Sequence, residues 1–363
     1  MSKPINLSHS ARQKLETCPR MYQLHYLEKI RPAGVNSTLL FGTAVDQAAE
    51  EYLNTKNRQL CRDKFKELWY EQKDGDGNII TIHGSTEIEY SANDLDLELI
   101  PESHYDYVIK NSVFASLSDV IKDGTDRERV AGTYWLSMFN KGRLLLKGFM
   151  DWVDENVEEV LGTQVKIELE DGDGNKVPGL ADFVIKIKGY DKPVLVDLKT
   201  SARYYPRNSV KESEQLGLYY FYLKQSQYPD MERAAYLVLN KQIKKNRVKT
   251  CLKCGTVTTG REKTCAVGTK KDRCNGEFSV DTTLEAVVQY IHDEIPEDFI
   301  LATIDKFNIA VDKIKEGNFE PCWDKCDNYY GRRCPYFEYC RSGAMDGLKK
   351  KESPGSISTQ EPG

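Results

Sequence analysis

The sequence predicts an α/β fold in which helices flank a central mixed sheet. Apolar residues recur at helical spacing near the amino terminus, and over residues 144–199 the period shifts towards two. Helical spacing returns over residues 212–223, and a strand-like apolar run follows at 234–239. A helix between strands of one sheet is typical of this fold class, so the strands are expected to form the core layer.

Two short helices are expected to open the chain. Ser8 and Ser10 belong to the residue types that cap a helix, and Pro19 suits the first turn of a second one. Tyr22 and Tyr26, four residues apart, would share one face of that second helix.

A longer helix is predicted over residues 37–52. Four apolar residues recur there at helical spacing: Val45, Ala48, Ala49 and Tyr52. This spacing places Asp46 and Glu50 together on another face of the same helix.

The middle of the chain contains three strand candidates, at residues 165–169, 183–187 and 194–196. The sequence Asp-Gly-Asp-Gly-Asn occurs at 74–78 and again at 171–175. Both copies resemble half of a calcium loop, but neither has the glycine that such a loop requires at its sixth position. We therefore interpret both copies as turns between strands.

The carboxy-terminal third is predicted to be helical and then disordered. Residues 284–314 indicate one or two helices with a break at Pro296. The tail over residues 346–363, rich in Lys, Ser, Pro and Gly from residue 349 onwards, is predicted to be disordered.

Composition favours a soluble cytoplasmic protein. The chain has 363 residues, of which 40% are hydrophobic and 29% charged, which is enough for one or two domains with a sizeable core. It has no apolar run near the ~18 residues that span a bilayer, and its first residues lack an apolar signal core. Eight of the ten cysteines fall into two groups, over 251–274 and 322–340, which suggests metal ligation in a reducing compartment.

The net charge of -5 is distributed unevenly. Residues 241–273 include eleven Lys or Arg and two acidic residues, whereas residues 74–109 include nine acidic residues and no Lys or Arg. A polyanion would therefore meet one basic surface rather than a basic molecule. A solvated charged face is the alternative interpretation, and composition alone does not choose between them.

An acidic centre is expected around Asp182, Asp197 and Lys199. Alternate residues of a strand point the same way, so Asp197 and Lys199 would emerge together while Leu198 turns into the core and offers its carbonyl. A hard divalent ion such as Mg²⁺ or Mn²⁺ prefers this kind of oxygen site and supports phosphodiester cleavage, with Lys199 offsetting developing charge. An isolated Asp-x-Lys is more often a surface pair at a strand end, so the motif needs further support.

Four cysteines in a short basic stretch predict a zinc site. Its members are Cys251, Cys254, Cys265 and Cys274. The surrounding residues are too polar to bury a core, and a four-thiolate zinc ion would fold such a loop. Its basic setting suggests contact with DNA, and a purely structural knuckle is the alternative.

An ordered set of motifs resembles the RecB-like branch of the PD-(D/E)XK nuclease superfamily. The set is similar to its iron-sulfur exonuclease type, as in CRISPR-associated adaptation nucleases and AddB-type nuclease domains. The motifs are, in chain order, Ser8-His9-Ser10, Cys18-Pro19-Arg20-Met21-Tyr22, Phe41-Gly42-Thr43-Ala44-Val45-Asp46, Gly179-Leu180-Ala181-Asp182, Asp197-Leu198-Lys199-Thr200 and Gln215-Leu216-Gly217-Leu218-Tyr219. Together they are much more specific than any single motif, and they imply a restriction-endonuclease-like core.

The resemblance implies a role for each matching residue. Asp182, Asp197 and the Leu198 carbonyl become ligands of Mg²⁺ or Mn²⁺, and Lys199 becomes the catalytic lysine. Gln215 and Tyr219 lie on the helix that packs beside the active site, where they contact the substrate or the lysine.

Asp46 departs from the family pattern, which usually has His at this position. An all-oxygen site remains chemically sound and leans further towards Mg²⁺ or Mn²⁺. Asp46 is therefore expected to be a metal ligand, and Glu50 is a candidate for binding a second ion. An exposed helix residue is the alternative interpretation of Asp46.

The resemblance also implies a [4Fe-4S] cluster that ties the two ends of the nuclease domain together. Its ligands would be Cys18, Cys326, Cys334 and Cys340. Cys322 is an alternative ligand, because the gap between Cys326 and Cys334 exceeds the usual one. Zinc is the competing metal at this site.

The resulting prediction is a nuclease domain over residues 1–240 and 276–345 with a zinc-ribbon-like insertion at 241–275. Its expected activity is Mg²⁺- or Mn²⁺-dependent DNA exonuclease, in repair, recombination or phage-type DNA processing. The expected partner is DNA with single-stranded character, with a helicase or recombination protein as a further partner and no membrane. The alternatives are a DNA-binding scaffold with a weakened centre and a structure-dependent endonuclease.

Overall fold

The structure is a computed structural model. It describes residues 4–32, 37–73, 79–81, 126–268, 272–327, 329 and 333–350. The helices are, in chain order, α1 His9–Thr17, α2 Pro19–Tyr22, α3 Ser37–Thr55, α4 Arg58–Tyr70, α5 Asp126–Asn156, α6 Glu214–Ser226, α7 Glu297–Glu316 and α8 Phe337–Ser342. The strands are β1 Ile30–Pro32, β2 Glu71–Lys73, β3 Ile79–Thr81, β4 Val157–Glu170, β5 Lys176–Ile187, β6 Tyr190–Ser201, β7 Arg233–Cys251, β8 Val257–Thr258, β9 Phe278–Asp293 and β10 Leu348–Lys350.

The centre of the molecule is a six-stranded mixed sheet, as the sequence predicts. Its strand order is β4-β5-β6-β7-β8, and β9 also pairs with β7. Strands β6 and β7 are parallel and joined by a crossover that contains α6, whereas the other pairs are antiparallel. The predicted α/β class with a central mixed sheet is confirmed.

Each face of the sheet carries its own core. Helices α3, α4 and α5 cover one face, where Phe41, Phe149 and Val196 are buried together. Helices α1, α6 and α7 cover the other, where Leu195 and Leu218 are buried. Alternating side chains of β6 therefore enter opposite cores, which is why Val194, Leu195 and Val196 form one continuous apolar run in the sequence.

The predicted opening helices are confirmed. The Ser8 hydroxyl accepts a hydrogen bond of 3.3 Å from the Ala11 N–H and so caps α1. Pro19 occupies the first turn of α2, and the rings of Tyr22 and Tyr26 lie 5.3 Å apart. Beyond Tyr22 the helix widens into a π-helical turn over Gln23–Leu27.

The second Asp-Gly-Asp-Gly-Asn sequence forms the predicted turn, between β4 and β5. The Asp171 carboxylate accepts backbone hydrogen bonds of 2.9 Å from Asp173 and 2.8 Å from Asn175. Gly174 adopts a φ of 81°, which a side chain would disfavour. The first copy, at 74–78, lies outside the described residues.

The prediction of strand-like structure from residue 144 was wrong over its first part. Residues 144–156 continue α5, in which Leu145, Leu146, Phe149 and Met150 are all fully buried. Each of these helical turns places two neighbouring apolar residues against the core. Such adjacent pairs obscure the 3.6-residue period of a helix in the sequence.

The expected helix at the start of 284–314 was also wrong, because residues up to Asp293 form β9. Alternate residues Ala286, Val288 and Tyr290 pack against the core beneath α5, and β9 pairs along almost the whole of β7. Cross-strand packing overrides the ambiguous local pattern here. The second half of the prediction holds, since Pro296 precedes α7.

Strands β7 and β9 together form an arm that carries the first cysteine group. Strand β7 continues without a break from the sheet to Cys251, so the predicted insertion boundary at 241 falls inside a strand. A register shift between Asn240 and Lys244 marks the root of this arm.

The predicted disordered tail begins too early. Residues Leu348–Lys350 form β10, which pairs with β1 at the opposite end of the sequence. Residues 351–363 lie outside the described residues. Among the described helices, none has a stretch sufficiently long and apolar to cross a membrane.

Candidate active site and cysteine centres

Asp182, Asp197 and Lys199 meet where β5 and β6 stop pairing. The ladder between these strands ends at Phe183 and Val196. Beyond it, the Asp182 Oδ2 atom accepts a hydrogen bond of 2.7 Å from the Leu198 N–H, in place of a backbone carbonyl. The splayed strands thus open a space lined by carboxylates.

Lys199 and Asp197 point to the same side of β6, as strand alternation predicts. The Lys199 Nζ atom lies 2.5 Å from Asp197 Oδ2, and the Asp197 side chain is almost fully buried. The Leu198 side chain turns into the opposite core. Because the N–H and C=O of one strand residue face the same neighbouring strand, the Leu198 carbonyl is directed to the side of Asp182.

Asp46 joins this cluster from α3. Burial raises the pKa of Asp46 to about 6, the Lys199 ammonium lowers it, and the charges of Asp197 and Glu50 raise it further. The carboxylate is therefore close to Asp197 and Lys199 rather than an exposed helix residue.

The cluster holds more negative charge than its lysine can balance. Burial, followed by the charges of Asp197 and Asp46, raises the pKa of Asp182 well above its usual range, and burial also raises that of Asp197. Burial alone would lower the pKa of Lys199, but Asp197 and Asp182 outweigh it and raise that pKa. Among the described residues, the Lys199 ammonium acts on all three carboxylates. Their oxygen atoms do not all lie within 4.8 Å of one another, so a divalent ion would have to draw them together. Carboxylates around one ammonium are the oxygen donors that Mg²⁺ and Mn²⁺ prefer.

Gln215 and Tyr219 lie on α6 beside this cluster, where the sequence places them. Burial raises the pKa of Tyr219, the Gln215 side chain lowers it, and the charges of Asp197 and Asp182 raise it, so the Tyr219 hydroxyl lies beside Gln215 and the two carboxylates. Gly179 makes room for that ring, because a Cβ atom there would lie 2.5 Å from the Tyr219 hydroxyl oxygen. The glycine that opens the Gly-Leu-Ala-Asp motif therefore has a steric role.

A cavity of about 590 Å³ adjoins these residues. Three of its lining side chains, His9, Tyr205 and Tyr236, received no role from the sequence, although His9 belongs to the Ser8-His9-Ser10 motif. Burial and the charge of Arg12 lower the pKa of His9 to about 4, so its imidazole is neutral near pH 7. Its Nδ1 atom is buried without a hydrogen-bond partner among the described residues. The Ser-His-Ser motif was the available signal for His9, whereas neither tyrosine lies in a recognisable pattern.

The first cysteine group forms a compact tetrad at the tip of the arm. All four sulfur atoms lie within 4.8 Å of one another, with 3.6 Å between Cys251 and Cys274 and 3.6 Å between Cys254 and Cys265. Zinc-sulfur bonds of about 2.3 Å in a tetrahedron require about 3.8 Å between sulfurs, so the tetrad fits one zinc ion. At Gly276 a Cβ atom would lie 2.6 Å from the Cys251 sulfur, and so the glycine keeps this space open.

The second cysteine group lies where the amino-terminal and carboxy-terminal parts of the described chain meet. Cys18, Cys326 and Cys334 are buried in one cluster with Tyr336 and Met21, and Cys322 and Cys340 pack against it. The Cys322 N–H donates a hydrogen bond of 3.4 Å to the Cys18 sulfur. Among the described residues, the four cysteines of the arm have sulfur atoms that all lie within 4.8 Å of one another, whereas the second cysteine group does not meet this distance. Soft sulfur donors in an apolar setting suit an iron-sulfur cluster or zinc.

Comparison with protein families gives one match that covers nearly the whole chain. A family model described as "PD-(D/E)XK nuclease superfamily" matches residues 6–341. The comparison with curated proteins finds no match.

Proposed function

The chain belongs to the PD-(D/E)XK nuclease superfamily, and from that premise we propose that it is a Mg²⁺- or Mn²⁺-dependent DNA exonuclease of the RecB-like, iron-sulfur type. We assign it to DNA repair, recombination or phage-type DNA processing. The observation that carries the proposal is the position of Lys199, which pairs with the buried Asp197 at 2.5 Å and whose charge also lowers the pKa values of Asp46 and Asp182.

In this proposal, Asp46, Asp182, Asp197 and the Leu198 carbonyl hold the divalent ion. When bound, such an ion polarises the scissile phosphate and lowers the pKa of a coordinated water molecule. The Lys199 ammonium, which its neighbours keep protonated, orients the attacking water and offsets the charge that develops on the phosphate oxygens. Gln215 and Tyr219, neighbours on α6, contact the substrate or the lysine beside this centre.

The cavity beside the centre supports DNA with single-stranded character as the substrate. Tyr205 lines it as a half-buried ring, whereas Tyr219 and Tyr236 are buried in its wall. An accessible aromatic side chain binds an unpaired base by stacking, at about 1 to 3 kcal/mol per base. A base-paired duplex does not expose those base faces. We therefore expect single strands or frayed ends to be cleaved faster than blunt duplexes.

The two cysteine groups support two further cofactors. We assign one zinc ion to Cys251, Cys254, Cys265 and Cys274, because their sulfur spacing matches tetrahedral zinc. We assign a [4Fe-4S] cluster to Cys18, Cys326, Cys334 and Cys340, because the first three thiols share one buried cluster and Cys340 packs against it.

Cleavage of end-labelled DNA with Mg²⁺ or Mn²⁺ tests the proposed activity. Lys199→Ala, Asp182→Asn and Asp197→Asn should each lower kcat by at least about 100-fold while the chain stays folded. Asp151→Asn is a matched control, because this exposed carboxylate pairs with Arg58 and Lys147 away from the site. Full activity in the Lys199→Ala variant would reject the catalytic assignment. Cleavage of covalently closed circles at the rate of linear DNA would instead indicate an endonuclease.

A further inference from the structure

Lys141 and Lys241 form a pair of partly buried amines at the root of the arm. Lys241 follows Asn240, the last residue of β7 that pairs with β6. Its Nζ atom lies 4.9 Å from the centre of the Phe41 ring of α3, on the sheet face that α5 covers. Lys141 approaches from α5, next to Gly142, which packs against Phe65 of the same aromatic cluster.

The two lysines repel each other, and no carboxylate of the described residues pairs with either. Burial and the neighbouring charge of Lys141 lower the pKa of Lys241 to about 8, and burial lowers the pKa of Lys141. Neither forms an ion pair within the part of the chain that the structure describes. Lys147, two turns along α5, instead pairs with Asp151 at 2.7 Å. Two like charges withdrawn from water are unfavourable unless an anion accompanies them.

The position of the pair relates it to the acidic cluster. Phe41 precedes Asp46 by five residues of α3, which corresponds to about 7.5 Å along the helix axis. Lys241 is three residues beyond Val238, the partner of Lys199, which corresponds to about 10 Å along β7. Along the chain, Phe41 and Lys241 therefore lie within about 10 Å of the acidic cluster, which corresponds to a few nucleotide steps at roughly 3.4 Å of rise per step.

The start of α3 adds to the positive potential. The helix begins at Ser37, one turn before Phe41, and the partial positive charge of a helix N-terminus attracts anions. This contribution acts together with the two ammonium groups and does not replace them.

We propose that Lys141 and Lys241 form a phosphate-binding site that holds the backbone of the DNA strand a few nucleotides from the scissile bond. The inference rests on the proposed nuclease function, which it deepens by adding a positioning site outside the acidic cluster. A phosphodiester is the anion that fits, because two adjacent ammonium groups neutralise a chain of phosphates without reading base sequence.

Binding and cleavage measurements test the site with Lys141→Gln, Lys241→Gln and the double variant. Lys147→Gln is the matched control, because it removes an exposed lysine of the same helix. With Ca²⁺ in place of the catalytic ion, the double variant should bind a 20-nucleotide strand about ten-fold more weakly and lower the slope of log affinity against log salt by about 1.5. Hydrolysis of the one-nucleotide substrate thymidine 5'-(p-nitrophenyl phosphate) should stay within two-fold of wild type.

Acetylation of lysines in the unaltered protein gives a second measurement that needs no variant to fold. Mass spectrometry should show that both DNA and inorganic pyrophosphate protect Lys141 and Lys241, but not Lys147. Unchanged salt dependence in the double variant, or no protection by DNA, overturns the proposal. Protection by pyrophosphate without an effect on DNA binding also overturns it, because the site would then bind a different anion.

The outcomes separate this inference from the proposed function. If wild type neither cleaves nor binds DNA, the nuclease proposal fails. Protection by pyrophosphate would then show that the two amines bind an anion and that DNA is not their ligand. If wild type cleaves DNA and the lysine variants match it in affinity and salt slope, the inference fails alone.

Discussion

Asp46 supplies the third carboxylate of the acidic cluster from α3, whereas Asp182 and Asp197 come from the sheet. Placing three ionised carboxylates near one another is unfavourable, because they lose water and repel each other. The raised pKa of Asp46 has these causes, since burial and the charge of Asp197 both contribute to it. A bound divalent ion relieves that cost, so ion binding and folding stability should be linked through Asp46.

Replacement of Asp46 by Asn should change how stability depends on pH. The pKa of Asp46 rises from 3.8 to about 6 in the folded chain, so its contribution to stability is present below about pH 4 and lost as pH rises through 6. At pH 7 the ionised group costs about 2 to 3 kcal/mol in the metal-free protein. The Tm of metal-free wild type should therefore fall relative to Asp46→Asn between pH 4 and 7.

The same measurement has an internal control and a clear opposite result. Mg²⁺ or Mn²⁺ should raise the Tm of wild type more than that of Asp46→Asn at pH 7. Asp63→Asn, at an exposed residue of α4, should leave both dependences unchanged. Parallel pH curves for wild type and Asp46→Asn would show that Asp46 does not belong to the cluster.

Gly179 is expected to control activity through Tyr219. An added methyl group at residue 179 would lie 2.5 Å from the tyrosine hydroxyl and push the ring away from Gln215 and the acidic cluster. Gly179→Ala should lower kcat by about ten- to a hundred-fold, because small displacements at a catalytic site are costly. Gly172→Ala is the control, since a Cβ atom there meets nothing within 4 Å. Equal kcat values for the two variants would contradict a role for Tyr219.

The sequence predicts some site residues far better than others. Asp197, Leu198 and Lys199 are neighbours on one strand, so alternation alone gives their relative orientation. Tyr205, Tyr236 and the two lysines at the arm root come together only through folding, and each belongs to a stretch without a motif. Convergence of distant segments cannot be derived from local pattern, which is why sequence reasoning missed them.

At the scale of elements, β9 shows where local pattern fails. Residues 284–293 carry apolar side chains at spacings that suit a helix or a strand, and pairing with β7 decides between them. The helix α6, in contrast, was predicted over residues 212–223 from its helical spacing and forms over Glu214–Ser226, where Ser213 caps its first turn. Elements whose ends carry local signals are predictable, and elements stabilised by a distant partner are not.

The cysteine tetrad should control the tip of the arm and leave the sheet intact. Wild type should contain about one zinc ion per chain at this site, and Cys265→Ser and Cys274→Ser should each abolish it. Without the ion, residues 251–277 lack an apolar core, so proteases should cut there first. Metal analysis and limited proteolysis measure these effects.

Cys61→Ala provides the matched control for the tetrad. Cys61 is buried on α4 among apolar residues and should be irrelevant to zinc content. Turnover of a one-nucleotide substrate should survive in Cys265→Ser, because the acidic cluster lies in the sheet and not in the arm. Full zinc content in that variant would reject the tetrad as the ligand set.

At the scale of the whole molecule, the two ends of the described chain hold each other. Strand β1 pairs with β10, the Tyr336 hydroxyl donates a hydrogen bond of 3.1 Å to the Ile30 carbonyl, and His25 lies 2.8 Å from the same hydroxyl. Cys18 is buried beside Cys326 and Cys334 in the same cluster. Apart from these hydrogen bonds, the contact between the two segments depends on a small apolar cluster. A cofactor bound by these thiols would therefore stabilise the association of the two segments.

Loss of any proposed cluster ligand should weaken the association between the two ends of the described chain. Anaerobically purified wild type should be brown and contain about four iron atoms per chain, and Cys18→Ala should lose both the colour and the iron. Cys326→Ala, Cys334→Ala and Cys340→Ala should behave alike and lower the Tm, because the amino-terminal helices lose their link to residues 322–350. Cys322→Ala, at a half-exposed neighbour, should keep the iron and serves as the matched control. A colourless wild type with zinc at these cysteines would reject the iron-sulfur assignment. Iron loss in Cys322→Ala instead of Cys18→Ala would restrict the site to the carboxy-terminal cysteines, so that the cluster would not link the two ends of the described chain.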